Sequence, residues 1–269
     1  MTAAAITVAG HFGELLQGRL GPSGPVALVT LPCPALAVRG HRLPGPFALH
    51  QPAGAAIRLD DARRLLAAAG AGPRGRYVLR AAMPLGGGAG ASTAVRVALA
   101  RLAGVADARR LAELCLASEG ASDPLMFPAP ERILWASRQG RILGAMPALP
   151  RLTILGGFFG PPRRTVPGDM AFPDIADLAE AWPAACARPE TVAALAQASA
   201  ERTLALRGPK SDPTAALARR LGALGWAMAH TGSARALLFL PGMVPQAAAS
   251  GLRAAGFCRI TRFEIGGGA

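Results

Sequence analysis

Lysine is almost missing from this sequence: of the 29 basic residues among 269, Lys210 alone is not an arginine. Aromatic residues make up only 5% of the chain, so no set of stacking side chains is interleaved with the arginines as a single-strand nucleic-acid binder needs. The arginines stand singly or in pairs, as at Arg63-Arg64, Arg109-Arg110, Arg163-Arg164 and Arg219-Arg220, and no long basic run occurs. The formal charge of +13 therefore reads as compositional bias and attraction for anionic small ligands, with no nucleic-acid partner expected. Cysteine is sparse too. Cys33, Cys115, Cys186 and Cys258 form no Cys-x-x-Cys pair and no Cys/His cluster, which argues against a zinc site or a disulfide framework. They read as small buried hydrophobes in a reducing compartment.

Charge is scarce as well, at 17% against 51% hydrophobic residues, which excludes a disordered chain. Leu20 to Val38 carries no charge over a near-membrane length, but Pro22, Pro25, Pro32 and Pro34 forbid a spanning helix. Met1 to Ile6 lacks the charged n-region and apolar stretch of a secretory leader, so a cytoplasmic protein without a membrane partner is expected.

What the chain has in abundance is glycine, and its densest use states a chemistry. Pro84-Leu85-Gly86-Gly87-Gly88-Ala89-Gly90-Ala91-Ser92-Thr93-Ala94 follows a strand-like stretch, Arg76 to Met83. It precedes a helical repeat of Val95, Ala98, Leu99 and Leu102, with Arg96 and Arg101 on the other side. Glycines let several N–H groups point into one concavity, and a helix N-terminus adds orphan donors and partial positive charge. Such a concavity binds phosphate. Ser92 and Thr93 stand where a hydroxyl could reach a phosphate oxygen or a magnesium ion. A Walker loop would need a lysine here, and Gly86-x-Gly88-x-Gly90 has the wrong last interval for the dinucleotide fingerprint. A plain glycine turn between strand and helix is the bland alternative.

In chain order, Ile6-Thr7-Val8 reads as a first strand running into the polar cluster Gly10 to Gly18, and Pro25 to Val38 as one bent strand or a pair. Arg58 to Ala69 reads as a helix. Asp107 is placed to cap the next one, which ends near Glu119-Gly120, and Ala121 to Pro128 is a loop. Ile133 to Trp135 and Arg151 to Leu155 are strand candidates. Gly156-Gly157 and Pro161-Pro162 are read as breaks, so a boundary is expected near residues 145 to 165, dividing the chain into domains 1–150 and 151–269. Helices are expected over Asp174 to Ala185, Glu190 to Leu206, Pro213 to Met228 and Pro245 to Ala255, strands over the end of Ala229 to Phe239 and over Phe257 to Ile265, and a frayed tail after that. His41 and His50 read as surface residues; Trp135, Trp182 and Trp226 read as core.

The leading proline and the Ser-Thr-Ala ending of the glycine stretch resemble the second motif of the GHMP kinases. Gly10 to Gly18 is similar to their first motif and His230-Thr231-Gly232-Ser233-Ala234 to their C-terminal glycine motif, so the resemblance spans nearly the whole chain. Within the superfamily, Gly13-Glu14-Leu15-Leu16-Gln17-Gly18 and the loop Glu119-x-x-x-Asp123 with Met126-Phe127-Pro128 resemble the L-threonine kinases of cobalamin synthesis, the propanediol-utilisation type. Ala9 replaces the usual opening proline, His11-Phe12 follows Gly10, and the Asp123 loop lacks the Pro-Ser-Gly of mevalonate-type enzymes.

The resemblance implies an α+β fold, a ribosomal-protein-S5-like N-terminal domain followed by a ferredoxin-like C-terminal one, with ATP and Mg2+ bound. It implies ATP-dependent phosphorylation of a small alcohol, L-threonine in the first place, with homoserine or serine as alternatives. A non-catalytic ATP-binding regulator and a nucleic-acid-binding module are the rivals of other classes. By the same resemblance Pro84 and the backbone from Gly86 to Ala91, with Ser92 and Thr93, cradle the phosphates. Ser92 and Glu119 hold the metal, with Glu113 as the other candidate, and Asp123 serves as base or hydroxyl acceptor. His11, Glu14, His230, Thr231, Gly232 and Ser233 face the substrate, with Glu14 on an ammonium group. With no lysine in these motifs, an arginine, the magnesium and backbone amides must suffice. A monomer or a homodimer fits equally.

Overall fold

Two long strands set the frame, β1 (Ala4–Arg19) and β2 (Val26–Pro46), paired antiparallel along most of their length. The computed structural model describes residues 4–268; Met1 to Ala3 of the leader reading and Ala269 of the tail lie outside that range. After β2 come β3 (Ala48–His50), α1 (Leu59–Ala68), β4 (Arg74–Ala81), α2 (Ala91–Leu102) and α3 (Ala108–Glu119). Then follow β5 (Ile133–Ala136), β6 (Arg141–Ala145), β7 (Leu152–Phe158), α4 (Ala176–Ala185), α5 (Pro189–Arg207) and α6 (Thr214–Arg220). The chain closes with β8 (Gly225–Met228), β9 (Ala234–Phe239), α7 (Ala248–Ala254) and β10 (Cys258–Ile265). The strands run β10-β7-β9-β8-β1-β2-β4-β3 across one sheet, with β5 on β2 and β6 on β5. Among the described residues no helix is long and apolar enough to cross a membrane.

The first strand is much longer than Ile6 to Val8, because the polar cluster after it is itself strand. Residues three apart in a regular strand face opposite sides of a sheet. Here the β1–β2 register shifts between His11 and Glu14, and Gly13 takes a φ of 84°. This bulge brings both side chains to one face while Phe12 turns into the core, 5.0 Å from Phe158 and 5.8 Å from Phe263. A Cβ at Gly13 would stand 2.7 Å from the Met228 backbone, which is how closely β8 approaches β1.

Three other expectations are corrected. Gly156 and Gly157 do not break the chain; they lie inside β7, and a side chain at Gly156 would occupy the space of the Phe12 ring. The helix begun at Thr214 stops at Arg220, and the next residues to Met228 include a fully buried strand, β8, which slots between β9 and β1. Apolar residues at Trp226, Ala227 and Met228 fit either structure, and Gly222 with φ 67° ends the helix. Finally, Arg96 is on no solvent face. Helix α2 is buried almost all round, which explains its alanines, and Arg96 is 6% exposed.

Asp107 does cap α3, its carboxylate accepting from the Arg110 N–H at 2.7 Å. The three tryptophans are fully buried, and Cys33, Cys115 and Cys186 are buried; Cys258 is exposed instead. Trp135 has a second task. Its Nε1 donates to the Ser122 carbonyl at 2.7 Å, and Ser122 N–H donates to Ser137 at 2.9 Å, so the loop carrying Asp123 is pinned to β5 and the turn after it.

Candidate active site

Gly86, Gly88 and Gly90 adopt φ of 70°, 73° and 74°, alternating left-handed positions that curl the loop before α2. The curl turns its carbonyls backward. Gly86 O accepts from Arg163 N at 2.8 Å, Gly87 O from Ser233 N at 3.0 Å and Ala234 N at 2.8 Å, and Ala89 O from His11 N at 3.3 Å. The amides of Gly86, Gly88, Ala89 and Gly90 donate to no acceptor among the described residues, and the first amides of α2 add to them. A cavity of about 370 Å³ is lined by Gly86, Gly88, Ala89, Gly90 and Ala91. The result is a concavity of the kind that suits an anion, with its back tied to three other parts of the chain.

Within the first turn of α2 the side chains take over. Ser92 Oγ donates to Glu119 Oε2, and Thr93 Oγ1 to Glu119 Oε1 at 2.9 Å. Arg96 sits four residues on from Ser92, one helical turn away. Its Nη1 donates to Ser92 Oγ at 2.7 Å and lies 3.3 Å from Glu119 Oε2, while its Nε is held by Ser118 Oγ at 2.9 Å. Burial raises Glu119 above the usual carboxylate range, against the pull of Arg96 and the two hydroxyls. Glu113 is elsewhere, largely exposed and paired with Arg110. Thr93 also meets the Asp123 backbone N–H at 3.3 Å, so one threonine links the two acids.

Asp123 leaves 26% of its side chain open and lines the cavity. Its Oδ2 lies 3.2 Å from His11 Nε2, and His11 Nδ1 lies 3.4 Å from Glu14 Oε1. An imidazole thus stands between two carboxyls, all within 4.8 Å. Three such groups could also bracket a cation, but the ring already supplies positive charge there. Burial opposes a charged His11, yet Glu14 and Asp123 raise it to about 9. Burial raises Glu14 to about 8 against the attraction of His11. Burial would raise Asp123 as well, but His11, by charge and hydrogen bond, with His230 and Arg138, holds it below the usual value. At neutral pH the chain is therefore Asp123 anion, His11 cation and protonated Glu14.

His230 is the opposite case: burial and the Arg138 charge press it down to about 3, so its ring is neutral. It stacks on Phe172 with centroids 4.2 Å apart and planes 10° from parallel. His11, Glu14, Asp123, Glu119, His230 and Thr231 line the same cavity as Pro84, Gly86, Gly88 to Thr93. Gly87, Gly232 and Ser233 stand behind its wall, and their place is structural: Ser233 N–H holds Gly87, and Gly232 with φ 120° lies against the Gly87–Gly88 peptide. Sequence reasoning missed Arg96 and Arg138. Arg96 carried a signal in its four-residue interval from Ser92; Arg138, in the turn between β5 and β6, carried none.

The whole chain superposes on solved structures of small-molecule kinases. The Methanococcus jannaschii mevalonate kinase matches with a TM-score of 0.72 at 10% identity, covering 99% of both chains. The L. major mevalonate kinase in complex with R-mevalonate matches at 0.70 and 15%, covering 100% of this chain and 98% of that one. Homoserine kinase from Cytophaga hutchinsonii matches at 0.61 and 14%, over 97% and 95%. No protein-family model matches the sequence, and no curated protein does. At these identities the likeness establishes the fold: this is the mixed α+β fold of the GHMP kinases.

Proposed function

We propose that this protein is an ATP-dependent kinase that phosphorylates the side-chain hydroxyl of L-threonine, giving O-phospho-L-threonine and ADP for the aminopropanol linker of cobalamin. The observation that carries the reading is one cavity holding a free amide face, a hydroxyl–carboxylate pair at Ser92 and Glu119, and an anionic Asp123. The fold's solved relatives support a kinase, and the Gly13 to Gly18 and Glu119 to Asp123 segments support threonine.

Phosphoryl transfer asks mainly for positioning and for stabilisation of negative charge. The amides of Gly86, Gly88, Ala89 and Gly90 and the start of α2 hold the polyphosphate, and Arg96 supplies the buried positive charge that lysine gives in other phosphate sites. Ser92 Oγ and the Glu119 carboxylate are hard oxygen donors already side by side, and they fit Mg2+. When bound, that ion supplies charge neutralisation on the phosphates. Asp123 accepts the hydrogen bond of the acceptor hydroxyl and aims its oxygen. His11 keeps Asp123 ionised, which makes it a good acceptor and a weak base, suited to a transition state in which the proton leaves late. Glu14, buried and protonated against His11, is a poor partner for an ammonium group and instead completes the proton chain behind Asp123.

The test is ADP release with magnesium and ATP across L-threonine, L-serine, L-homoserine and mevalonate. Threonine is expected to give the highest kcat/KM. Turnover of homoserine with threonine inert rejects the substrate, and no turnover of any alcohol rejects the kinase.

A further inference from the structure

We propose that a second cavity, which shares a wall with the first, is a regulatory site for a small organic anion, an oxyanion carried on an apolar stem. Its coupling to nucleotide rests on the kinase reading above; the anion site itself does not. The cavity measures about 260 Å³ and lies between the end of α5, the stretch after β7 and the connection from β8 to β9. Cavities that hold small ligands begin at roughly 300 Å³, so this one suits a compact molecule and not a second nucleotide.

Its lining has arginines and no acid. Arg163, Arg207 and Arg235 face it, and no aspartate or glutamate does. Arg207 is spent, with Nη2 donating to Asp169 at 2.5 Å and Nη1 to Ala171 O at 3.1 Å. Arg235 is fixed yet left open. Its side chain is 3% exposed, Nε donates to Asp212 at 2.8 Å, and Nη1 donates to the carbonyls of Gly232 and Ala234 at 3.3 and 2.9 Å. Nη2 has no acceptor among the described residues and is not sealed from solvent. A guanidinium held by two nitrogens with the third left open to a cavity is an anchor already aimed at an anion. Arg163 adds an exposed guanidinium with no acid partner among the described residues. Beside these charges stand Phe159, Pro161, Pro209 and Met228, with Ser211 at the rim. A bare anion would leave that apolar surface uncovered, and a neutral stem would leave the charge unmet.

The groups that would meet the anion also hold the glycine loop. The Arg163 N–H donates to Gly86 O at 2.8 Å, Arg235 Nη1 donates to Gly232 O, and Gly232 lies against the Gly87–Gly88 peptide. Arg163, His230 and Thr231 line both cavities. An anion on Arg163 and Arg235 steadies the segments behind Gly86 and Gly88, so the loop loses less freedom when its amides close on phosphate. Occupancy of the second cavity then tightens nucleotide binding, and by linkage the nucleotide tightens the anion by the same factor.

The probes are phenyl phosphate and benzoate, two oxyanions on one stem, with phenol as the stem alone and inorganic phosphate as the head alone. Each is titrated calorimetrically into the full chain, with and without saturating Mg–AMPPNP, a non-hydrolysable ATP analogue. One of the two anionic probes is expected to bind one to one, about tenfold or more tighter than phenol or inorganic phosphate, and the tighter one tells whether the head is phosphate or carboxylate. With the analogue present that probe should bind about fivefold tighter. Ser211→Trp, at an exposed rim position that lines the second cavity alone, should weaken the probe by more than about tenfold, and Arg235→Lys should weaken it several-fold. No binding by either anion, phenol binding as tightly as the anions, displacement of the probe by the analogue, or wild-type binding in Ser211→Trp overturns the site. Probe and analogue binding independently of each other overturns its regulatory role. If the analogue itself does not bind, the kinase reading falls, and the probe titrations in wild type and Ser211→Trp still decide the anion site.

Discussion

At the scale of single residues the site is governed by where protons sit. If the proposed kinase reading holds, replacing Asp123 with Ala removes the acceptor that aims the hydroxyl, and kcat should fall by about 100-fold or more while ATP affinity stays within a few-fold. Unchanged turnover in that variant would show that Asp123 does not aim the acceptor hydroxyl. The protonation of His11 and Glu14 also makes stability depend on pH. His11 is raised from 6.5 to about 9 and Glu14 from 4.5 to about 8, so between pH 6.5 and 8 the native state holds protons the unfolded chain has released. Stability from these groups is full below their unfolded values and is lost as pH rises through their folded ones. Denaturant titrations should therefore give a lower unfolding free energy at pH 9 than at pH 6.5, with a shallower slope in His11→Gln. A flat or rising profile in the wild type would show that the three groups titrate normally. Much of this was legible: His11, Glu14, Ser92, Glu119 and Asp123 are recognisable by residue type and order. What spacing could not show is that His11 bridges the two carboxyls, since that depends on a bulge at Gly13.

At the scale of elements, the glycine loop and α2 were readable because a strand, a run of glycines and a helical repeat each announce themselves in local sequence. The strand β8 was not, because three buried apolar residues obey no period. The arrangement behind the loop was hidden for another reason: it joins segments far apart in the chain. Gly232, with φ 120° and no room for a Cβ beside the Gly88 N–H, is the joint. Gly232→Ala should cost about 1–3 kcal/mol in stability through backbone strain and crowding. It should also weaken ATP binding, as the loop shifts, more than it alters KM for the alcohol. Calorimetric titration of ATP against the variant tests this; unchanged affinity would mean that the loop keeps its shape without the segment behind it.

At the scale of the whole molecule, strands from both halves of the sequence share one sheet. Glu14 of β1 pairs with Met228 of β8, and Gln17 ties both β8 and α5, donating from Nε2 to Met228 O at 2.8 Å and from its N–H to Ser199 Oγ at 2.9 Å. We propose that residues 1–150 and 151–269 are two halves that unfold as one. Trp135 reports on the first, Trp182 and Trp226 on the second, and far-ultraviolet dichroism on both. Coincident denaturation curves are expected from fluorescence of the wild type and of single-tryptophan variants. Separate midpoints would show independent halves. Composition and motif order made the fold class legible, but not this interleaving, which local sequence does not encode.

The tie between Gly87 and residues 233–234 also has a temporal consequence. On the ribosome the glycine loop emerges long before the segment that shapes it. A nascent chain halted ahead of Ser233 carries every amide of the glycine loop yet lacks the brace behind them, so on the proposed reading capture of nucleotide becomes a late event in synthesis.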